Sequence, residues 1–532
     1  MEKYLKLFEY HSQYEDFVSG GTMVKPNVSH CVQENEVHYK PKGYESKYLT
    51  FKALESGSFT LNIGSAVSTN ILESISYSMD NGQSWETTNN VDGQTVTIVT
   101  PTVNAGDSIL WKGLGSGVST TTNNNNRPST SSIFSSTGTF NVEGNILSLL
   151  YGDEFEGKDS VTGTYNFALL FYADKSRVSD IPKVVSAKNL VLPIKDAPMG
   201  CYFRMFQEYQ LEEYTLVETP LRIDSESVGA SACTSMFYGC TSLVTAPALP
   251  ATTLAQSCYQ YMFEGCTDLT VAPELPATTL VQSCYGVMFY GCTSLTTAPE
   301  LPATTLADEC YRSMFYGCTS LTTAPELPAT TLASDCYIHM FDGCISLATA
   351  PQLPATTLAQ YCYNSMFLGC TNLTTAPELP ATTLASTCYG AMFNGCTSLT
   401  TAPELPATTL VQNCYGGMFY GCTSLTTAPE LPATTLTDSC YASMFKGCTS
   451  LTTAPELPAT TMVYDCYREM FQGCTSLSSI TCLATNISAS NCTSNWVSGV
   501  AASGTFTKAA SMSSWTTGTS GIPSGWTVQD AT

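Results

Sequence analysis

Between residues 233 and 497 the apolar and polar positions repeat every 26 residues with almost no variation. A clean unit runs Cys310-Tyr311-Arg312-Ser313-Met314-Phe315-Tyr316-Gly317-Cys318-Thr319-Ser320-Leu321-Thr322-Thr323-Ala324-Pro325-Glu326-Leu327-Pro328-Ala329-Thr330-Thr331-Leu332. A fixed period of this length predicts a solenoid, because so small a unit buries its apolar face only against its neighbours. Cys310, Tyr311, Met314, Phe315 and Cys318 fall at i, i+1, i+4, i+5 and i+8, which reads as the buried stripe of a helix of about two turns. The residue before the first cysteine is usually Ser, Thr, Asp or Asn, as at Ser283, Asp335, Thr387 and Asn413. Such side chains cap a first helical turn, and Gly317 with its equivalents closes the segment.

Leu321 to Leu327 should be extended, since Pro325 and Pro328 exclude helix. Ala324 and Leu327 stand three apart, which breaks the period of two of a regular strand. A bulge or corner near Pro325-Glu326 is therefore expected, and the direction of the Glu326 column stays open. Proline at one column also removes an N–H from each rung, so the sheet should be short and interrupted.

The pattern Cys-Tyr-x-x-Met-Phe-x-Gly-Cys-x-x-Leu-x-x-Ala…Leu-Pro resembles the BspA-like leucine-rich repeat of Bacteroidetes surface proteins. The resemblance implies a short helix on one side, a strand on the other and an aromatic, cysteine-containing core. It also implies adhesion or recognition, without fixing a ligand. Two departures stand out, the added Pro-Ala-Thr-Thr segment and Ala324 where a larger aliphatic residue is usual.

Around this array the hydrophobic pattern changes. Residues 45–128 alternate with period two, as in Tyr48-Leu-Thr-Phe-Lys-Ala and Gln94-Thr-Val-Thr-Ile-Val, and predict a small antiparallel β-sandwich. Asn81-Gly82 marks a tight hairpin. Ser78-Met-Asp80-Asn-Gly82-Gln-Ser84-Trp85 fits the Asp-box pattern of sialidases, where the box is a structural hairpin. A single copy, with no cluster of arginines to take a carboxylate, favours the hairpin over a glycosidase. Ser119 to Pro128, with its run Asn123–Asn126, is a linker or long hairpin candidate. In 129–232, Leu170-Phe171 and Met205-Phe206 echo the Met-Phe pair at irregular spacing, as degenerate first repeats and a cap would. Cys492 and Trp496 keep the array's register. Residues 498–532, with Trp515, Ile522 and Trp526, read as a β-type C-terminal cap.

The fold class expected is thus β-rich α+β, a leucine-rich-repeat solenoid whose 26-residue units each pair a short helix with a short strand, preceded by the sandwich.

Charge narrows the partners. Lys+Arg 21 against Asp+Glu 44 leaves a net charge of −23 with no basic run, so nucleic acid and anionic membrane surfaces are poor partners. No stretch is long and apolar enough to insert in a membrane, and the first residues lack the apolar core of a secretory signal. Of 24 cysteines, 22 lie in the array and its cap, mostly in two columns eight residues apart. That spacing is too wide to bridge within one helix and lacks the C-x-x-C grouping of metal sites, so buried free thiols are expected.

No catalytic constellation is visible and no cofactor is implied. The four histidines are His11, His30, His38 and His339, and the last has no recurring partner in the array. Non-enzymatic binding is therefore expected, and the candidate ligand-binding residues are the variable positions of the presumed helix: Tyr290, Arg312, Tyr316, Asp342, Leu368, Tyr420 and Lys446. Tyrosine supplies area and a hydroxyl suited to glycan or protein contact. A ladder of Glu274, Glu300, Glu326, Glu378, Glu404, Glu430 and Glu456, interrupted by Gln352, is a weak metal candidate, since hard cations favour oxygen donors.

Residues 1–44, especially 26–41, resemble the opening of structural proteins of Bacteroides phages, including crAss-like phages. The resemblance implies a virion appendage, a tail or head fibre, mounted through residues 1–44 on other virion proteins and binding a host cell-surface glycan or protein. Localisation in a virion, after synthesis in the host cytoplasm without a signal peptide, and assembly as a homotrimer are the corresponding expectations. The alternatives are a BspA-like adhesin on the bacterial cell surface and a capsid decoration protein with no receptor role.

Overall fold

The computed structural model describes residues 44, 47–63, 72–89, 96–118, 122–123, 127–128, 132–174, 181–209, 216–513 and 515–531. Apart from Tyr44, the candidate attachment segment 1–44 lies outside the described residues.

Period-two alternation builds strands β1 (Leu49–Ala53), β2 (Phe59–Ile63), β3 (Leu72–Ser78), β4 (Glu86–Asn89), β5 (Val96–Val99), β6 (Ser108–Gly115), β7 (Ile133–Ser136) and β8 (Phe140–Asn145). A short helix α1 (Ser148–Tyr151) and strand β9 (Val184–Val191) follow. One sheet has the order β9-β8-β1-β6-β3-β4 and a second the order β5-β2-β7. Pairing is antiparallel except between β8 and β9, which run parallel. Phe51 of β1 joins the two sheets, with ring centroids 5.3 Å from Phe59, 4.7 Å from Phe134 and 4.9 Å from Phe140. The larger sheet recruits β8 and β9 from the stretch the sequence assigned to degenerate repeats and cap. The candidate linker after Ser119 pairs Thr122-Asn123 with Arg127-Pro128 as an antiparallel hairpin.

The expected Asn81-Gly82 turn joins β3 to β4, with φ of 60° and 84° at the two residues. Asp80 braces it: Ser78 Oγ donates to Oδ1 at 2.8 Å, and the Ser84 amide donates to the same oxygen at 2.8 Å. These bonds, led by that from the Ser84 hydroxyl, pull the Asp80 carboxyl down to about 2. The Asp-box is here a hairpin brace.

The repeats depart from the expected helix-plus-strand unit. From Glu309 to Cys318 every backbone N–H has a partner, and the partners alternate. Cys310, Arg312, Met314, Tyr316 and Cys318 donate three residues back, at 3.1 to 3.2 Å. Glu309, Tyr311, Ser313, Phe315 and Gly317 donate across to Ser334, Cys336, Ile338, Met340 and Asp342 of the next repeat, at 2.7 to 3.1 Å. An α-helix would consume these donors internally, four residues back. Here half of them join neighbouring repeats, and the segment is a chain of turns; α1 is the one α-helix among the described residues.

Backbone dihedrals show how the helix is avoided. Glu309, Ser313 and Gly317 have φ of 59°, 50° and 68°, one left-handed residue in every four. The residues read as helix caps (Ser283, Asp335, Thr387, Asn413) occupy the first of these positions, with φ between 53° and 57°. Asp and Asn tolerate left-handed backbone and also cap helices, so at Asp335 and Asn413 the two conformations share one residue preference.

On the other side of each unit the extended contact shrinks to single parallel bridges, such as Thr297 with Thr323, Thr375 with Thr401 and Thr401 with Thr427. This is the short, interrupted sheet that the proline column implies. Where the prolines stop, regular strands appear: β10 (Ser479–Cys482), β11 (Thr505–Lys508) and β12 (Thr527–Asp530) form a parallel sheet in that order.

Inside, identical side chains stack on one another. Phe237, Phe263, Phe289, Phe315 and Phe341 follow at centroid spacings of 5.6 Å, within 6° of parallel. The column continues backwards through Phe206 and Phe171 to Phe134 of β7. It ends forwards on Trp496, which is stacked in turn on Trp515 at 5.7 Å. A tyrosine column from Tyr259 to Tyr467 runs beside it.

Ala391 separates the two descriptions of the repeat. It sits at φ 51°, so Ala391→Gly should stabilise the protein by about 1 kcal/mol, seen as a raised urea midpoint. In a helix interior the same change would destabilise by about as much, and a lowered midpoint would restore the helical unit.

Candidate functional site

The turn segment positions the variable side chains. Interior places go to the cysteine, tyrosine, methionine and phenylalanine columns, all buried. The two residues after Cys-Tyr and the one after Phe are partly or fully exposed in most repeats, with Ser365, Ala442 and Asp342 among the buried exceptions.

Three repeats make a cleft of about 220 Å³ on this face. Beside it is Gly286, which stands where the flanking repeats carry Gln260 and Arg312. A Cβ at 286 would lie 3.3 Å from the Glu309 carbonyl oxygen and 3.7 Å from Gln260 Nε2. Tyr261, Val287, Tyr290, Glu309 and Ser313 line the cleft. Arg312 closes one end, its Nη1 3.5 Å from Glu309 Oε2.

Of the candidate ligand residues, Tyr290, Arg312, Tyr316 and Asp342 gather at and beside this cleft. Tyr290 and Tyr316 stack at 4.4 Å, 3° from parallel. Burial, and then the neighbouring Tyr316, raise the pKa of the Tyr290 hydroxyl. Tyr316 leads on to His339, 6.4 Å away between ring centroids. His339 Nδ1 lies 2.8 Å from Asp342 Oδ2.

Asp342 corrects an expectation, since its predicted outward position is only 5% exposed. A buried carboxylate needs a partner, and His339, three residues earlier, supplies one. His339 itself was set aside in the sequence for want of a recurring partner; its partner is local and unique.

Leu368 follows in the same column, half-buried. Tyr420 and Lys446 form a separate cluster further along. Lys446 Nζ lies 5.5 Å from the Tyr420 ring centre and 2.8 Å from Glu469 Oε2. The hydrogen bond from Lys446 holds the Glu469 carboxyl below its usual range. Gln260, Gly286 and Glu309 were missed in the sequence. The signal was present, a glycine between two long polar residues in one column, but it reads as a feature only once the repeats are superposed.

The glutamate ladder is resolved as an exposed column, from Glu274 and Glu300 through Glu326, Glu378, Glu404 and Glu430 to Glu456. Among the described residues no three acidic, histidine or cysteine side chains come together as a metal site.

The cysteines serve packing. Those from Cys201 to Cys492 are free and buried. The second column donates across repeats: Cys318 Sγ lies 3.1 Å from the Phe289 carbonyl oxygen, and Cys344 Sγ 3.1 Å from that of Phe315. Each such carbonyl also accepts the amide of the cysteine three residues on, as Phe315 does from Cys318. Burial raises these thiols, to about 11 at Cys284 and about 12 at Cys422 and Cys474.

Stacked units with an invariant leucine, aromatic and cysteine interior behind a variable outer face define a leucine-rich-repeat protein. A model of the BspA type leucine rich repeat region, in 6 copies, matches residues 230–374, 309–405 and 363–495. Together these run from 230 to 495, half of the 532 residues, and the chain belongs to the BspA-type leucine-rich repeat family. That family is generally non-enzymatic, and its repeats are consistent with a protein-binding or adhesin role. No curated protein and no solved structure matches the chain.

Thiol reactivity follows from the burial. The thiolate is the reactive form, and the folded chain holds 23 of its 24 cysteines buried as thiols. At pH 8 a disulfide-exchange reagent should titrate at most one cysteine in the native protein and all 24 in urea. Rapid native reaction of several would contradict the shielded columns.

Proposed function

We propose that the protein is a recognition solenoid, displayed as a virion appendage, that binds a host cell-surface glycan or protein through the turn face of its repeats. The observation that carries this reading is the cleft beside Gly286 with the adjoining Tyr290–Tyr316 pair, where aromatic side chains and an arginine come together on the turn face. Aromatic residues and arginine are the side chains on which binding energy concentrates, and here both stand at one site.

The virion setting is supported by the resemblance of residues 26–41 to the opening of Bacteroides phage structural proteins. Under this reading residues 1–44 contact other virion proteins, and a trimer is the natural fibre assembly. Membership of the BspA-type family favours a second reading, an adhesin on the bacterial cell surface.

Labelled protein should bind intact Bacteroides-type cells saturably. The double substitution Tyr290→Ala, Tyr316→Ala should weaken that binding at least tenfold, about 1.4 kcal/mol. Unchanged binding would remove the turn face from the reading. Recovery of the protein in purified virions supports the appendage, and recovery only in bacterial envelopes supports the adhesin.

A further inference from the structure

We infer that the cleft at Gly286 takes a single neutral sugar ring, one hexose unit of a surface glycan, and discriminates against acidic sugars. The inference rests on the recognition reading above and names the ligand class.

Size is the first constraint. Sites for drug-sized ligands occupy roughly 300–1,000 Å³, so about 220 Å³ admits one ring or one side chain and no more. The cleft is also open, so the remainder of a longer glycan can run along the turn face.

Lining chemistry is the second. Sugar hydroxyls donate and accept hydrogen bonds at once, and they need groups that do the same. The amide of Gln260 offers both, as do the hydroxyls of Ser313, Tyr261 and Tyr290. The Arg312–Glu309 pair, 3.5 Å apart, sets planar donors beside carboxylate acceptors, a match for vicinal hydroxyls. Val287 and the tyrosine rings provide the apolar surface that the C–H face of a sugar covers.

Charge is the third. Arg312 is the sole cation between Arg222 and Lys446, and Glu309 already faces it. Glu264, Asp308, Asp335 and Asp342 lie on the same and neighbouring repeats. Within the lining Glu309 offsets Arg312, so an entering carboxylate or sulfate finds no unpaired cation to offset its own desolvation.

The test uses the full-length protein on immobilised oligosaccharides, comparing neutral chains with their sialylated and sulfated counterparts. Neutral chains should bind at least tenfold more tightly, and free methyl hexosides should compete. Gly286→Leu, which fills the cleft, should abolish this binding. Because a side chain at 286 is tightly placed, Gln260→Ala serves as a second variant and should weaken binding at least fivefold with unchanged melting. Preference for acidic glycans, capture of cationic peptides in place of sugars, or neutral binding unaltered in both variants would overturn the inference. If the protein bound cells but no neutral glycan, this ligand class would fall while the recognition reading stood. Failure to bind either would remove both.

Discussion

Alternation of the backbone donors is the constraint on which the rest of the array depends. Every second N–H of the turn segment closes a local turn, and every other one is handed to the next repeat. The rise from one repeat to the next is thereby set by hydrogen bonds, and side chains in one column must meet their own kind. Phenylalanine rings then stack at 5.6 Å along the middle of the array, each contact contributing about 0.5–1.5 kcal/mol beyond its burial. Left-handed backbone at non-glycine residues costs about 1–2 kcal/mol each, and two such residues occur in most units. Cross-repeat hydrogen bonds and continuous aromatic columns offset that cost only when neighbours are present, so a single unit has no reason to hold the shape.

The same arrangement separates what is fixed from what is free. Interior columns cannot change one member without creating a void or a clash against identical neighbours. Outward positions carry no such restriction, and there single repeats differ: a glycine at 286, an arginine at 312, a histidine at 339. A recognition site can therefore arise on this scaffold with no change to its core, and its position along the array is a matter of which repeat varies.

How far the sequence foretold this depends on the element. Cys310, Tyr311, Met314, Phe315 and Cys318 were read correctly as interior. Their spacing was read as helical, although i, i+1, i+4, i+5 and i+8 follow a period of four, whereas a helix face runs i, i+3, i+4, i+7. Left-handed residues recur with that same period at 309, 313 and 317, but only Gly317 announces its conformation by residue type. The Asn81-Gly82 hairpin was legible because its turn demands those residues. Strand β9 was not, since its parallel place beside β8 depends on contacts distant in sequence. Asp342 was misplaced because column position says where a Cα lies, while a partner one turn away decides where the side chain goes.

The two ends show what the proline column does. In most repeats proline removes an N–H from the extended side, and contact between neighbours falls to isolated bridges. Residues 477–482, Leu-Ser-Ser-Ile-Thr-Cys, carry no proline, and here a full four-residue strand forms and pairs with β11, which pairs in turn with β12. Trp496 stands in the methionine register, ends the aromatic column and lies against Trp515, while its indole N–H donates to the Gly521 carbonyl. At the other end Phe134 brings the column into the sandwich core. The interior is thus bounded by a sheet domain on one side and by broad indoles on the other. Proline within the array keeps the extended side from becoming a long continuous sheet, whose edges would invite pairing with other chains, and leaves the turn face as the surface on which repeats differ.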